Sequence, residues 1–127
     1  QAEDGIRDSV ASRGLGDVYK RQVINAPLSA GSGSSEFKTA FNEIIFPGLR
    51  KFSPDLLIIS AGFDAHADDP LANLNLYEND FSWITLELLA IAEKYSDGRL
   101  VSVLEGGYNL EALSSSVSVH VRELMSV

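Results

Sequence analysis

Residues 56–70 have the sequence LLIISAGFDAHADDP. The apolar residues 56–59 are bounded by a Pro-Asp pair before them and a glycine after them, which predicts a buried strand. A turn of small residues then brings Asp64, His66 and two further carboxylates into one short loop. Open α/β sheets form their ligand and metal sites just beyond the carboxyl ends of their strands. This loop is therefore where the sequence predicts a functional site.

Residues 1–22 resemble a translated sequencing adapter. Residues 1–8 (QAEDGIRD) and 12–22 (SRGLGDVYKRQ) can each be back-translated into a constant part of a transposase-type library adapter, and the residues between them fit a sample index. Non-native segments are set aside before a fold is predicted. We interpret residues 1–22 as such a segment rather than an ordinary polar extension. We therefore expect the natural sequence to begin near Val23, and we expect residues 1–22 to contribute no strand to the sheet.

The composition of residues 23–127 limits the classes of function. This length allows one modest domain. Residues 1–22 carry equal numbers of acidic and basic side chains, so the net charge of -8 falls on residues 23–127. That charge disfavours binding to nucleic acid or to an anionic membrane, and it mildly favours cationic substrates. The absence of cysteine excludes a disulfide framework and a Cys-based zinc site.

No apolar run in the sequence is long enough to span a bilayer. No secretory signal is visible either, so we expect a cytoplasmic protein. Nothing in the sequence indicates its oligomeric state.

Strand and helix patterns alternate along the chain after Val23. Three strands are predicted, at residues 23–28, 56–60 and 100–104. Apolar residues recur at helical spacing within residues 37–52, 81–95 and 110–124. Pro47 is expected to kink or shorten the first helix, and Asn79 is expected to cap the second. This alternation predicts an α/β fold with a parallel sheet and right-handed crossovers.

The carboxyl ends of parallel strands lie along one edge of a sheet. The loops at residues 29–35, 61–79 and 105–109 should therefore share one face of the molecule. We expect Asp64, His66 and Tyr108 to lie close together on that face. A phenol in this position could donate a hydrogen bond to a carbonyl oxygen that becomes negatively charged in a transition state.

Four motifs resemble the zinc-dependent histone deacetylase family, in its class II-like and bacterial branch of acetoin-utilisation and acetylpolyamine amidohydrolase proteins. They are NAPL and AGSG within residues 25–33, PDL through SAGFDAH within 54–66, DPL at 69–71 and VSVLEGGYNL at 101–110. The resemblance implies the C-terminal part of an arginase/deacetylase-like parallel sheet flanked by helices. It also implies a Zn²⁺ cofactor and the removal of acetyl groups from acetyl-lysine or acetylpolyamine-type substrates.

The resemblance also implies roles for individual residues. Asp64 corresponds to a zinc ligand and Tyr108 to the catalytic tyrosine that polarises the substrate carbonyl. Gly106 and Gly107 correspond to the turn beside the substrate tunnel. The family's remaining zinc ligands and its paired histidines belong upstream of Val23, so we expect this fragment to be inactive alone.

Several polar residues have simpler interpretations. His66 is expected to support the loop rather than bind metal, and Asp68 and Asp69 are expected to organise it or face solvent. His120, within the last predicted helix, is expected to be structural. Relatives often carry Asp where Ser34 or Ser35 stands, which leaves an anionic role for that loop in doubt. The alternative function is a non-catalytic α/β module that binds a small ligand or is purely structural.

Overall fold

A computed structural model describes residues 23–126. Its elements are α1 (Ser34–Ala40), a π-helical turn (Phe41–Ile45), α2 (Phe46–Phe52), β1 (Leu57–Ala61), α3 (Glu78–Tyr95), β2 (Leu100–Leu104) and α4 (Leu110–Leu124). The predicted adapter segment, residues 1–22, lies outside the described residues. Among the helices from residue 23 to residue 126, none has the length and apolar character needed to cross a membrane.

Strands β1 and β2 pair in parallel, with Leu57 opposite Leu100 and Ala61 opposite Leu104. Helix α3 makes the crossover between them, which confirms the predicted α/β architecture. The hydrophobic core lies beyond the carboxyl end of β1, where Phe63 and Phe81 pack with Ala61. The site loops therefore lie directly against the best-packed part of the molecule.

The prediction of a strand at residues 23–28 is wrong. This segment is irregular. Ile24 instead lies in an apolar pocket with Leu49, Leu57 and Gly48. A Cβ on Gly48 would overlap the Ile24 side chain, so the missing side chain at Gly48 is what admits it. Ile24 remains 43% exposed, so the segment packs this apolar residue partly against helix α2 and does not pair with a strand.

Pro47 was expected to kink or shorten the first helix, and it does not shorten it. The helix continues to Phe52, and a π-helical turn at Phe41–Ile45 comes just before the proline. Proline has no N–H to bond the carbonyl four residues earlier, and its ring crowds that carbonyl. π-Helical turns are rare and occur mostly as single turns inside α-helices, as this one does.

An Asn79 cap would make Asp80 the first residue of helix α3, but the helix begins two residues earlier. Its first residue is Glu78, so the predicted cap at Asn79 is wrong. The buried Asp80 carboxylate accepts a hydrogen bond from the Tyr77 N–H at 3.1 Å and closes the first turn from inside. The side chain that fastens this end of the helix therefore comes from its first turn rather than from a capping residue before it.

Candidate metal and acyl-transfer site

The loops that follow β1 and β2 run side by side. The Phe63 N–H donates to the Gly106 carbonyl at 2.8 Å, and the Glu105 N–H donates to the Ala61 carbonyl at 3.0 Å. The backbone pairing of the strands is thus extended into the loops. It brings the segment around Asp64 beside the segment that leads to Tyr108.

The loop before α1 joins the same face. The Gly31 N–H donates to the Asn73 carbonyl at 2.7 Å, and the Asn75 N–H donates to the Ser32 carbonyl at 2.9 Å. The prediction that the three loops share one face is therefore confirmed. The Ser34 hydroxyl donates to the buried Asp80 carboxylate. An aspartate at this position would face that carboxylate directly.

The Asp64 carboxylate lies between two glycines. A Cβ on Gly106 would be 2.8 Å from Asp64 Cγ, and a Cβ on Gly62 would be 2.9 Å from Asp64 Oδ1. Both distances are shorter than non-bonded carbon contacts allow. The half-buried carboxylate thus occupies space that only glycine leaves open at these two positions.

Tyr108 projects from the neighbouring loop with 57% of its surface exposed. Gly107 before it has a φ of 142°, a backbone conformation that glycine adopts at little cost. A Cβ at Gly107 would also come within 2.7 Å of the Leu113 side chain. The glycine pair therefore brings the chain against helix α4 and leaves the Tyr108 side chain at the surface.

Asp69 ties the Tyr108 segment to the loop after β1. Its Oδ2 accepts hydrogen bonds from the N–H groups of Tyr108 at 2.7 Å and Asn109 at 3.1 Å, and its Oδ1 accepts from Leu71 at 3.0 Å. Desolvation raises the pKa of this carboxyl, but the three backbone donors outweigh it and the pKa is lowered. The predicted loop-organising role is confirmed, and the structure shows that it extends to the Tyr108 segment.

His66 lies inside the loop, as expected for a residue that supports the loop rather than binding metal. The ring is buried and stacks on Phe81, and its Nδ1 accepts a hydrogen bond from the Asp68 N–H at 3.1 Å. Its Nε2 is 3.5 Å from a carboxylate oxygen of Glu78. Its backbone also bridges to Leu76. His66 therefore supports the loop from below.

His120 links three elements inside the molecule. Its Nδ1 lies 2.7 Å from the Thr85 hydroxyl on α3, and its Nε2 lies 2.8 Å from the Ser102 hydroxyl on β2. Burial lowers the pKa of this imidazole, which favours the neutral ring. The expected structural role agrees with this position.

The residues from 23 to 126 contain no group of three His, Cys, Asp or Glu side chains that could together hold a metal ion. Carboxylate oxygen is a suitable zinc ligand, and the glycine-lined space around Asp64 leaves its oxygens unobstructed by side chains at residues 62 and 106. The donor chemistry of Asp64 therefore fits a metal, but this part of the chain supplies only one such ligand.

The chain matches known proteins along most of its length. The family model described as "Histone deacetylase domain" matches residues 7–124. This match begins within the segment interpreted as an adapter, so the predicted boundary at Val23 stays a prediction. Chloroplastic histone deacetylase 14 of Arabidopsis thaliana is 45% identical over 81% of this chain and 24% of its own length.

Two further comparisons agree in family and in fold. The histone deacetylase-like amidohydrolase of Pseudomonas aeruginosa is 41% identical over 68% of this chain and 23% of its own length. The structure of the histone deacetylase Clr3 superposes with a TM-score of 0.79 at 30% identity, covering 92% of this chain and 19% of that one. The chain spans about a quarter or less of the length of these relatives. It belongs to the histone deacetylase family.

Proposed function

We propose that this chain is the part of a zinc-dependent deacetylase that supplies one metal ligand and the tyrosine that polarises the substrate. The observation that carries the proposal is the Asp64 carboxylate enclosed by two glycines at the carboxyl edge of the sheet, beside a loop that presents Tyr108. The reaction is hydrolysis of an N-acetyl amide. Water adds to the acetyl carbon, the C–N bond breaks, and acetate and a free amine leave.

Asp64 would bind the zinc ion through its carboxylate. Bound zinc supplies Lewis acidity toward the acetyl carbonyl and lowers the pKa of a water ligand. The contribution of this chain is to fix the position of one ligand. Gly62 and Gly106 bound the carboxylate on two sides, and the core residue Phe63 holds the adjoining backbone.

Tyr108 would donate a hydrogen bond from its phenol to the acetyl carbonyl oxygen. This donor matters most when that oxygen carries negative charge in the transition state. The exposed ring leaves the hydroxyl accessible to a substrate. Gly106 and Gly107 have no side chain to obstruct the approach to Tyr108, which suits a role in substrate binding.

The chain alone should be inactive. A catalytic zinc requires three protein ligands and one open position. Asp64 is one ligand, and both histidines of the chain are held elsewhere, His66 beneath its loop and His120 between α3 and β2. The missing ligands and the general base would come from sequence upstream of Val23.

The substrate class that we propose is an acetylated amine such as acetyl-lysine or an acetylpolyamine. The relatives are named deacetylases and a deacetylase-like amidohydrolase. The net charge of -8 adds a weak preference for substrates with further positive charge.

The test uses the extended protein, meaning the protein encoded when the native sequence upstream of Val23 has been recovered from source DNA. Tyr108→Phe should lower kcat on an acetyl-lysine peptide by on the order of 10²–10³-fold while zinc content stays unchanged. Asp64→Ala should lower zinc content itself. Excess zinc should restore part of the activity of Asp64→Ala and none of the activity of Tyr108→Phe.

Two results would reject this function. If the extended protein lacks activity on acetyl-lysine and acetylpolyamine substrates, the non-catalytic α/β module becomes the better explanation. If Tyr108→Phe retains nearly full activity, the role assigned to the Tyr108 loop is wrong even if the protein is a deacetylase.

A further inference from the structure

Asp69 makes more contacts than its own turn requires. The hydrogen bond from the Leu71 N–H to Asp69 Oδ1 is ordinary local turn chemistry of an aspartate. The other oxygen, Oδ2, accepts from Tyr108 and Asn109, which lie 39 and 40 residues further along the chain. Hydrogen bonds to an ionised acceptor are stronger than those between neutral groups. One carboxylate thus joins two separate loops through their backbones.

The Tyr108 segment needs such an anchor because two glycines precede it. Gly106 and Gly107 have no Cβ to limit their backbone conformations, so the direction of Tyr108 is poorly fixed by the local chain. Asp69 binds the first N–H after this pair at 2.7 Å. It therefore restricts the backbone directly after the glycine pair, where the chain could otherwise change the direction of Tyr108.

Asn109 completes the anchor. Its Nδ2 donates to the Asp68 carbonyl at 3.0 Å, and its Oδ1 accepts from the N–H groups of Glu111 and Ala112 at 3.1 Å. The backbone just after Tyr108 is thereby fixed both to the loop after β1 and to the first turn of α4. Tyr108 therefore lies between the loop after β1 and helix α4, and hydrogen bonds hold the backbone beside it to both.

Asp69 belongs to the same loop as Asp64. Two successive turns connect them, because the His66 N–H donates to the Phe63 carbonyl at 3.2 Å and the Asp69 N–H donates to the His66 carbonyl at 3.0 Å. The hydrogen bonds across these turns restrict the motion of the two ends of the segment relative to each other. The Asp64 carboxylate and the Tyr108 backbone are consequently held in a fixed position relative to each other.

We propose that Asp69 is a positioning residue that fixes the Tyr108 hydroxyl relative to the Asp64 carboxylate. This inference rests on the proposed function of Tyr108. Asp69 itself touches no reacting atom, because both of its oxygens are occupied by backbone N–H groups. Its effect on the reaction comes through geometry, and misplacement of a catalytic group by about 1 Å can cost on the order of 10²-fold in rate.

The first measurement tests the anchor in the 127-residue chain itself. Asp69→Asn keeps the shape of the side chain but leaves only one oxygen for the three donors. We expect the backbone amide proton resonances of Tyr108 and Asn109 to shift upfield and their hydrogen exchange to accelerate. The matched control is Asp68→Asn, because the Asp68 side chain is 73% exposed and these bonds do not use its carboxylate. Unchanged Tyr108 and Asn109 amides in Asp69→Asn would overturn the proposal.

The second measurement tests positioning in the extended protein. Asp69→Asn should lower kcat at least about tenfold, with KM within about twofold and zinc content unchanged. Asp68→Asn should leave kcat near the wild-type value. In a Tyr108→Phe background the effect of Asp69→Asn should disappear, because there is no hydroxyl left to position. A purely structural role would instead give the same fold-loss in both backgrounds.

The two proposals fail in different ways. An unchanged kcat for Asp69→Asn, beside a strong defect for Tyr108→Phe, overturns the positioning role and leaves the proposed function standing. A fully active Tyr108→Phe overturns the proposed function, and the positioning role falls with it.

Discussion

Gly106 shows how the absence of a side chain can determine the position of a functional group. A Cβ at this residue would meet the Asp64 carboxylate at 2.8 Å. A carboxylate at the end of a short side chain can rotate away, so the collision should displace Asp64 rather than unfold the loop. The consequence should appear in metal binding more than in stability.

We therefore predict that Gly106→Ala lowers the zinc affinity of the extended protein by about 10–100-fold. The free energy of unfolding should fall by only about 1 kcal/mol in urea titrations. Gly33→Ala is the matched control, since its Cβ would meet only ordinary contacts, the closest at 3.4 Å from the Asn75 carbonyl oxygen. Unchanged zinc affinity in Gly106→Ala would argue against Asp64 as a ligand.

The lowered pKa of Asp69 predicts a pH dependence of stability. The folded pKa lies below the ordinary value of 3.8, so the stabilising contribution is fully present above that pH. It is lost as the pH falls through the lower folded pKa. The difference in unfolding free energy between wild type and Asp69→Asn should accordingly shrink below about pH 3.8. Asp68→Asn controls for the change in net charge, and a difference that stays constant with pH would contradict this assignment.

The sequence could predict which residues meet at the sheet edge but not how each one is held. Asp64 and Tyr108 follow consecutive parallel strands, and that rule alone brings their loops together. How His66 is held depends on the fold of its own loop, where its Nδ1 accepts from the Asp68 N–H and its backbone bridges to Leu76. The contact of Asp69 with Tyr108 depends on the same loop fold, and no sequence pattern encodes it.

At the scale of elements, the buried hydrogen bonds of His120 join α3, β2 and α4. The Thr85 hydroxyl donates to the Phe81 carbonyl, so it is available to accept from His120 Nδ1. The Ser102 hydroxyl can then donate to Nε2, which gives a neutral ring with both nitrogens satisfied. A helix, its crossover neighbour and a strand are thus fastened at one point.

We predict that Ser102→Ala destabilises the protein by about 1–3 kcal/mol, because it leaves a buried ring nitrogen without a partner. The comparison is Ser118→Ala on α4, whose exposed hydroxyl bonds only the Ser114 carbonyl of its own helix. That variant should stay within about 0.5 kcal/mol of wild type. Urea unfolding at neutral pH measures both, and equal effects of the two substitutions would contradict the importance of the His120 contacts.

The predicted bounds were most accurate for elements whose apolar residues can be buried in only one way. Strand β2 and helix α4 have the predicted bounds, and β1 is shifted by only one residue. Residues 23–28 were misassigned because a short apolar stretch can be buried by pairing or by packing, and local sequence does not distinguish the two. The outcome depended on the open space above Gly48, a feature of a distant helix.

At the scale of the molecule, the two faces of the sheet differ. Leu57 and Ala61 are buried on one face of β1, whereas Ile58 on the other face is 63% exposed. Val101 and Val103 of β2 are also about half exposed. Parallel sheets normally have both faces covered, and their strands are apolar for that reason. Within the described part of the chain, this face has the apolar residues typical of a covered sheet, yet those residues are exposed.

The size of the relatives gives this face a physical meaning. The chain spans 24% of Arabidopsis histone deacetylase 14 and 19% of the Clr3 structure. A two-stranded sheet gains little stability from its own pairing. The apolar face therefore suits contact with further parts of a larger domain, and in the 127-residue chain it should favour self-association.

Val101→Lys should consequently have different effects in the 127-residue chain and in the extended protein. In the 127-residue chain it should reduce self-association and binding of a hydrophobic dye, because it places a charge on an exposed apolar face. In the extended protein it should lower the free energy of unfolding by more than about 2 kcal/mol, because a buried unpaired charge is costly. Sedimentation velocity and urea unfolding measure the two effects. Leu86→Lys, at an exposed position of α3, should change neither by much. If the extended protein tolerates Val101→Lys as well as Leu86→Lys, the face is not buried in the larger domain, and its apolar residues need another explanation.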